Sequence, residues 1–123
     1  MTTSNCSFSH DEIVTSLYNG TIIKLKDGEI VCSVQLSKTE TLIKVITDDI
    51  VATVFGAVMI LNGELKLVRR LETPTESWAK SIEANEEFIA VGYYNGNVCF
   101  FDRKKDDEPT VRTEKNIKVD NIN

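Results

Sequence analysis

Short apolar runs separated by polar turns recur along the whole chain, and this pattern predicts β-strands rather than helices. The clearest pair of runs covers residues 89–93 and 98–101, with Asn95-Gly96 between them. Asn-Gly is a strong hairpin signal, because both central residues of a type I′ turn need positive φ. Every residue of the second run is apolar, so both of its faces are apolar. This is typical of a strand that is covered on both sides.

The pattern occurs three times, and each copy has two acidic residues, an apolar run and a glycine-bearing turn. From Ile13 to Ile50 is 37 positions, and from Ile50 to Phe88 is 38. A nearly constant step of this size indicates a repeat architecture in which each copy is one supersecondary unit.

Each copy predicts four short antiparallel strands joined by tight turns. The three units cover residues 1–36, 37–73 and 74–114, and residues 115–123 are predicted to form a polar C-terminal tail. The predicted first strands are 5–9, 41–47 and 78–84, the predicted third strands are 21–25, 57–61 and 97–101, and the fourth strand of the second unit is expected to begin at Glu64.

One segment fits a helix as well as a strand. Residues 73–76, Thr-Pro-Thr-Glu, make a good helix start, and helix-forming residues follow from 77 to 87. The corresponding positions of the second unit, 41–47, are β-branched and poor in helix formers. We therefore predict a strand, and allow a helical turn at 74–77.

Four-stranded units with a glycine turn between their second and third strands resemble the blades of WD40 propellers, whose repeats run at about 40–45 residues. The third unit resembles them most: 78–82 matches the first strand, 88–93 the second, and 98–102 the closing strand, with Phe101 in the place of the family's Trp. The Gly-His dipeptide is absent and His10 lies in a turn, so the blades are degenerate.

The resemblance implies an all-β fold built of three four-stranded antiparallel blades of a WD40-like β-propeller, incomplete alone. Propellers close with about four to eight blades. We therefore expect protein partners to supply further blades, either a second copy or a larger propeller protein. The alternative fold is a β-trefoil, which also contains three four-stranded repeats, although each unit here has the order of a simple meander.

Composition excludes several classes of function. The net charge of −5 and pI of about 4.9 argue against binding to nucleic acid. The apolar runs are far too short to span a membrane, and the N-terminus lacks the pattern of a signal peptide. Three cysteines without Cys-x-x-Cys spacing fit free thiols in a reducing compartment. We expect a cytoplasmic or nuclear protein.

No residue set predicts catalysis, a metal site or a cofactor. Ser9, His10 and Asp11 are neighbours along one turn and cannot converge as a triad does. One histidine and three scattered cysteines lack the spacing of metal ligands. We therefore predict that the chain is not an enzyme.

Two groups of residues are candidates for binding a partner. The first is an acidic rim at one end of the blades, where it would attract a basic partner. The second is a pair of aromatic residues on the opposite, top face, where such side chains can anchor a peptide. The rim candidates are Asp11, Glu12, Asp48, Asp49, Glu86, Glu87, Asp106, Asp107 and Glu108, and the top-face candidates are Trp78 and Tyr94.

These observations predict a non-catalytic protein–protein interaction module, a WD40-like scaffold or adaptor that completes a propeller with other blades. If the fold were a β-trefoil instead, the function would be recognition of a sugar or a peptide.

Overall fold

The computed structural model describes residues 3–9, 12–47, 49–104 and 110–112, and side chains over 12–47 and 49–104. These residues form strands and no helix. The strands are β1 (Thr3–Ser9), β2 (Glu12–Leu17), β3 (Thr21–Lys26), β4 (Glu29–Gln35), β5 (Ile43–Ile46), β6 (Asp49–Val54), β7 (Ala57–Leu61), β8 (Leu67–Glu72), β9 (Ala79–Ala84), β10 (Phe88–Tyr93), β11 (Val98–Asp102) and β12 (Thr110–Arg112).

Consecutive strands pair antiparallel into three separate sheets, β1–β4, β5–β8 and β9–β12, which we call blades 1, 2 and 3. This confirms the predicted all-β fold of four-stranded blades. The sheets do not close into a ring over the described residues. A β-trefoil would join its repeats in one barrel, so the alternative fold is wrong. The alternative function, sugar or peptide recognition by a trefoil, is therefore wrong as well.

The ambiguous segment forms a strand, β9, over Ala79–Ala84. It pairs with β10 through Ile82 and Val91, with an irregularity between Gly92 and Tyr93. Pairing along this ladder outweighs the local helix preference, as tertiary context commonly does. Residues 74–77 contain bends at Pro74 and Ser77 and no helical turn.

The turn chemistry differs from the prediction at Asn95-Gly96. Only Gly96 has positive φ, 87°, and its N–H donates to the Tyr93 carbonyl at 3.1 Å. The loop therefore has three residues and ends in a left-handed glycine, which is the next most common way to close a hairpin. The two-residue turn with positive φ at both positions lies elsewhere, at Asp27 and Gly28, with φ of 54° and 82°.

The length of the β10–β11 loop also shifts the alignment of blade 3 with blade 2 by one residue. Ile89 pairs with Phe101 as Ile50 pairs with Leu61, so Ile89, not Phe88, is the structural counterpart of Ile50. A one-residue shift moves a side chain to the opposite face of a strand. Phe88 therefore points away from blade 2 and remains 48% exposed.

The fourth strand of blade 2 begins at Leu67 rather than Glu64. Residues 62–66 form a loop in which the Asn62 side-chain oxygen accepts hydrogen bonds from the backbone N–H groups of Glu64 and Lys66. Leu65 occupies the left-handed region at φ 61° and is only 3% exposed. The loop thus buries an apolar side chain where a tight turn ending before Glu64 was predicted.

Blade 2 is packed on both faces. One face, which includes Ile50 and Leu61, packs against Val14 and Ile22 of blade 1. The opposite face contributes Val51, Val58, Ile60 and Leu71 to a cluster with blade 3, whose members there are Ile89, Val91, Tyr93, Cys99 and Phe101. The three sheets therefore form a stack with blade 2 in the middle.

Candidate interaction surfaces

A groove opens where blades 2 and 3 meet, at the end that carries the β6–β7 and β10–β11 turns. Its volume is about 400 Å³, which is within the usual range of ligand pockets. We call it the turn-end groove. Its lining includes Glu40, Leu42, Phe55, Trp78, Lys80 and Tyr94.

Both predicted top-face residues, Trp78 and Tyr94, thus lie on one surface. The ring of Trp78 contacts that of Phe55 across the blade boundary, with centroids 4.7 Å apart and planes inclined at 57°. Phe55 and Trp78 are about half exposed, 48% and 49%, and Tyr94 is 71% exposed. Trp78 therefore packs between blades and also presents an open aromatic surface.

The segment that carries Trp78 is fixed to the neighbouring turn. The Thr75 hydroxyl, which is 3% exposed, accepts hydrogen bonds from the side-chain amides of Asn95 and Asn97 at 3.1 and 2.6 Å. The Tyr94 N–H donates to the Trp78 carbonyl at 3.1 Å. These bonds hold the groove in shape without a ligand, which lowers the entropic cost of binding.

A second hollow, of about 430 Å³, adjoins the turn-end groove. Lys80 and Tyr94 line both. Its remaining lining is mainly backbone and short polar side chains, including Gly92, Asn95, Gly96 and Asn97. We call it the polar hollow. The groove and the hollow therefore share these two side chains, and the groove is the aromatic one of the two.

At the opposite end of the blades, part of the predicted acidic rim is engaged within the fold. Glu12 pairs with Lys24 at 2.5 Å, and Lys24 also donates to the Gly63 carbonyl of blade 2 at 2.6 Å. Asp49 pairs with Arg103 of blade 3 at 2.5 Å. Glu86 and Glu87 are exposed. The other rim candidates, Asp11, Asp48, Asp106, Asp107 and Glu108, lie outside the described residues.

The two blade boundaries share a polar contact that the sequence did not reveal. Gly63 of blade 2 and Arg103 of blade 3 each lie two residues beyond the equivalent positions Leu61 and Phe101. The carbonyl of each accepts a hydrogen bond from a cation of the preceding blade: Gly63 from Lys24 at 2.6 Å, and Arg103 from Arg69 at 3.3 Å. Lys24 lies on β3 and Arg69 on β8, so the two cations occupy different strands of their blades. A comparison of residue types at equivalent positions therefore does not predict this contact.

The outer face of blade 3 is the side that points away from blade 2, and it includes Phe88, Ala90, Val98 and Phe100. Ala90 lies opposite Phe100 in the ladder, and Phe88 precedes Ala90 by two positions, so these side chains share one face. Phe88 is 48% and Phe100 is 44% exposed. Two aromatic side chains that lie half exposed on one sheet face indicate a surface for contact with another protein.

Tyr93 and Cys99 lie on the buried face of blade 3. Burial raises the pKa of Tyr93 to about 12, because the phenolate would lose its hydration there. Burial also raises the pKa of the Cys99 thiol. Both groups are therefore neutral at physiological pH. A reactive thiol has a lowered pKa, so the chemistry of Cys99 fits packing rather than nucleophilic attack.

Neither a metal cluster nor a membrane helix occurs in the described part of the chain. No group of three or more His, Cys, Asp or Glu residues there is placed to hold a metal ion. No helix in the same residues has the length and apolarity to cross a membrane.

Comparison with known proteins supports the fold but assigns no family. No protein-family model and no curated protein sequence matches the chain. The computationally designed Ika8 protein is similar with a TM-score of 0.81 and 16% identity, over 89% of this chain and 36% of that one. The designed Ika4 protein gives 0.75 and 17% identity, over 81% and 65%. The WD40 β-propeller domain of Doa1 gives 0.73 and 12% identity, over 86% and 38%.

These similarities show a propeller-like fold and, at such low identity, nothing finer. The chain spans 36–65% of the length of these three structures. The similarity to the WD40 domain of Doa1 supports a propeller-like fold, and no sequence match supports WD40 repeats. The chain is a β-propeller-like set of three blades.

Proposed function

We propose that this chain is a non-catalytic protein–protein interaction module of the cytoplasm or nucleus. It acts as a scaffold or adaptor that contributes three blades to a propeller, and blades of a protein partner complete that propeller. The proposal assigns no catalytic residue and no cofactor. The observation that carries it is the exposed outer face of blade 3.

The two ends of the stack differ. On the face of blade 1 that points away from blade 2, Thr15 and Ile23 lie opposite each other and are only 4% and 8% exposed. On the outer face of blade 3, Phe88 and Phe100 are 48% and 44% exposed. The end that needs a cover is therefore blade 3.

The equivalent faces of the other blades show what such a cover looks like. Blade 1 is covered by blade 2, and blade 2 is covered by blade 3. The outer face of blade 3 occupies the next position in this series. A further blade would bury Phe88 and Phe100, and about 1.5–3 kcal/mol accompanies full burial of each such side chain.

At two positions on the outer face, an aromatic residue stands where another blade has a charged one. Phe88 occupies the position of Glu12 and Asp49, and Phe100 that of Lys24. We therefore expect the next blade to be held by apolar contact, so that its association depends weakly on salt.

The test is the behaviour of the chain alone in solution. We expect it to self-associate or to bind the apolar dye ANS, since the outer face is uncovered. Replacing both Phe88 and Phe100 by Ser should reduce association in sedimentation velocity and reduce dye fluorescence. Val68→Ser is the matched control, because Val68 is 62% exposed but lies on β8.

A stable monomer that binds no dye would contradict the proposal. So would an association that the double variant leaves unchanged while its thermal unfolding shows an intact fold.

A further inference from the structure

The turn-end groove combines aromatic and charged side chains, and the inference about its ligand rests on the proposed interaction function. Lys80 and Tyr94 line both the groove and the polar hollow. The groove is lined by apolar and aromatic side chains together with the charged Glu40 and Lys80. An extended peptide advances about 3.3 Å per residue, so its neighbouring side chains can meet the aromatic and the charged residues of one such groove.

Two opposite charges line the groove without partners. The side chains of Glu40 and Lys80 are both exposed, and neither makes an ion pair or hydrogen bond in the structure as described. Other charged side chains pair within the chain: Asp49 pairs with Arg103, and Lys44 pairs with Glu83. Glu40 belongs to the linker before blade 2, whereas Lys80 belongs to blade 3 and also borders the polar hollow.

The aromatic part lies beside these charges. Phe55 and Trp78 form one tilted pair that keeps about half of its surface open, with Leu42 and Val54 in the same lining. A volume of about 400 Å³ accommodates a bulky apolar side chain together with its backbone. Aromatic residues in such fixed positions are the usual anchors of peptide contacts.

We propose that the turn-end groove binds an extended peptide with three features. A bulky apolar side chain lies against the Phe55–Trp78 pair. An acidic residue on the blade 3 side pairs with Lys80, and a basic residue on the linker side pairs with Glu40. The two charges set the direction of the peptide, and the aromatic pair provides most of its affinity.

The test uses a phage-displayed library of random linear peptides, selected on the wild-type chain. The enriched peptides should share an apolar residue with an acidic residue on one side and a basic residue on the other. Selection on the Lys80→Glu variant should replace the acidic residue by a basic one, since the charge that recognises it is reversed. Lys26→Glu is the matched control, because Lys26 is exposed at the opposite end of blade 1.

A synthetic peptide with the enriched sequence then gives the affinity by fluorescence anisotropy. Trp78→Ala and Lys80→Glu should each weaken binding tenfold or more, and Lys26→Glu should change it less than twofold. Since Lys80 is exposed, its variant keeps the test valid even if Trp78→Ala alters folding. Failure to enrich any shared motif, or a motif that is the same on Lys80→Glu, would overturn the inference.

These outcomes are separate from the test of the outer face of blade 3. Phe88 and Phe100 do not line the groove, so their variants should bind the selected peptide normally.

Discussion

Asp49 of blade 2 accepts a hydrogen bond from the guanidinium of Arg103 in blade 3, with Oδ2 and the terminal nitrogen 2.5 Å apart. The same guanidinium donates to the Asn85 carbonyl at 2.9 Å, and the Arg103 side chain is only 12% exposed. The ion pair therefore fastens one blade to the next, in a place where the sequence predicted a surface for partners.

Asp49→Ala should lower the free energy of unfolding by about 1–2 kcal/mol, because it leaves a mostly buried cation without its counter-charge. Urea denaturation measures the change. Glu64→Ala is the control: Glu64 pairs with Lys66 at 3.7 Å with both side chains more than 70% exposed, and its loss should cost less than about 0.5 kcal/mol. Equal effects of the two substitutions would show that the pair between the blades adds no stability.

Gly20→Ala should destabilise the protein far more than Gly28→Ala. Both glycines have positive φ, 84° and 82°, so each variant bears about 1–2 kcal/mol of backbone strain. A Cβ on Gly20 would also lie 2.3 Å from the Ser37 carbonyl oxygen, whereas nothing lies within 4 Å of one on Gly28. We expect Gly20→Ala to cost about 1–3 kcal/mol more, as overpacking does.

Thermal and urea unfolding of both variants check this prediction. If the two alanine variants unfold alike, the contact between Gly20 and the linker at Ser37 is looser in solution than in the structure.

Stability should fall at high pH because of Tyr93. Its pKa is raised to about 12 in the folded chain from 10.0, so the unfolded chain releases this proton first. The contribution of Tyr93 is complete below pH 10 and is lost as the pH rises toward 12. One such group makes stability fall by about 1.4 kcal/mol per pH unit within that window.

The comparison with Tyr93→Phe isolates this effect, since Phe cannot ionise. The variant should show a shallower loss of stability between pH 10 and 12, measured by urea denaturation. Absorbance titration of the folded wild type should also show a phenolate that forms near pH 12 and is missing in the variant. Identical pH profiles would contradict the assignment.

The sequence predicted the elements well because strand patterns are local. The third strand of blade 2, β7, matches its predicted bounds, Ala57–Leu61. Strand β9 forms where comparison of the repeats favoured a strand over a helix. The equivalence of Phe88 with Ile50 was wrong by one residue, because the β10–β11 loop is longer than the β6–β7 turn by one position. Loop length changes register without changing composition, so the pattern alone does not reveal it.

Contacts between blades were less predictable. Trp78 and Tyr94 were predicted as surface candidates, but their neighbour Phe55 comes from another blade. Its place beside Trp78 depends on how two sheets stack, which no residue spacing within one repeat encodes. Similarly, Glu12 and Asp49 have the composition of a free acidic rim, and only the fold brings Lys24 and Arg103 to them.

The position of blade 2 in the stack has a consequence for how the chain folds and how it can be divided. Val51 and Val58 rely on blade 3, and Ile50 and Leu61 rely on blade 1. During synthesis, the face of blade 2 that packs on blade 3 therefore stays uncovered until blade 3 has formed. A break in the linker between any two blades separates residues that share one apolar cluster. Neither of the resulting fragments should therefore fold alone. Mixing the two fragments should restore structure only if they associate.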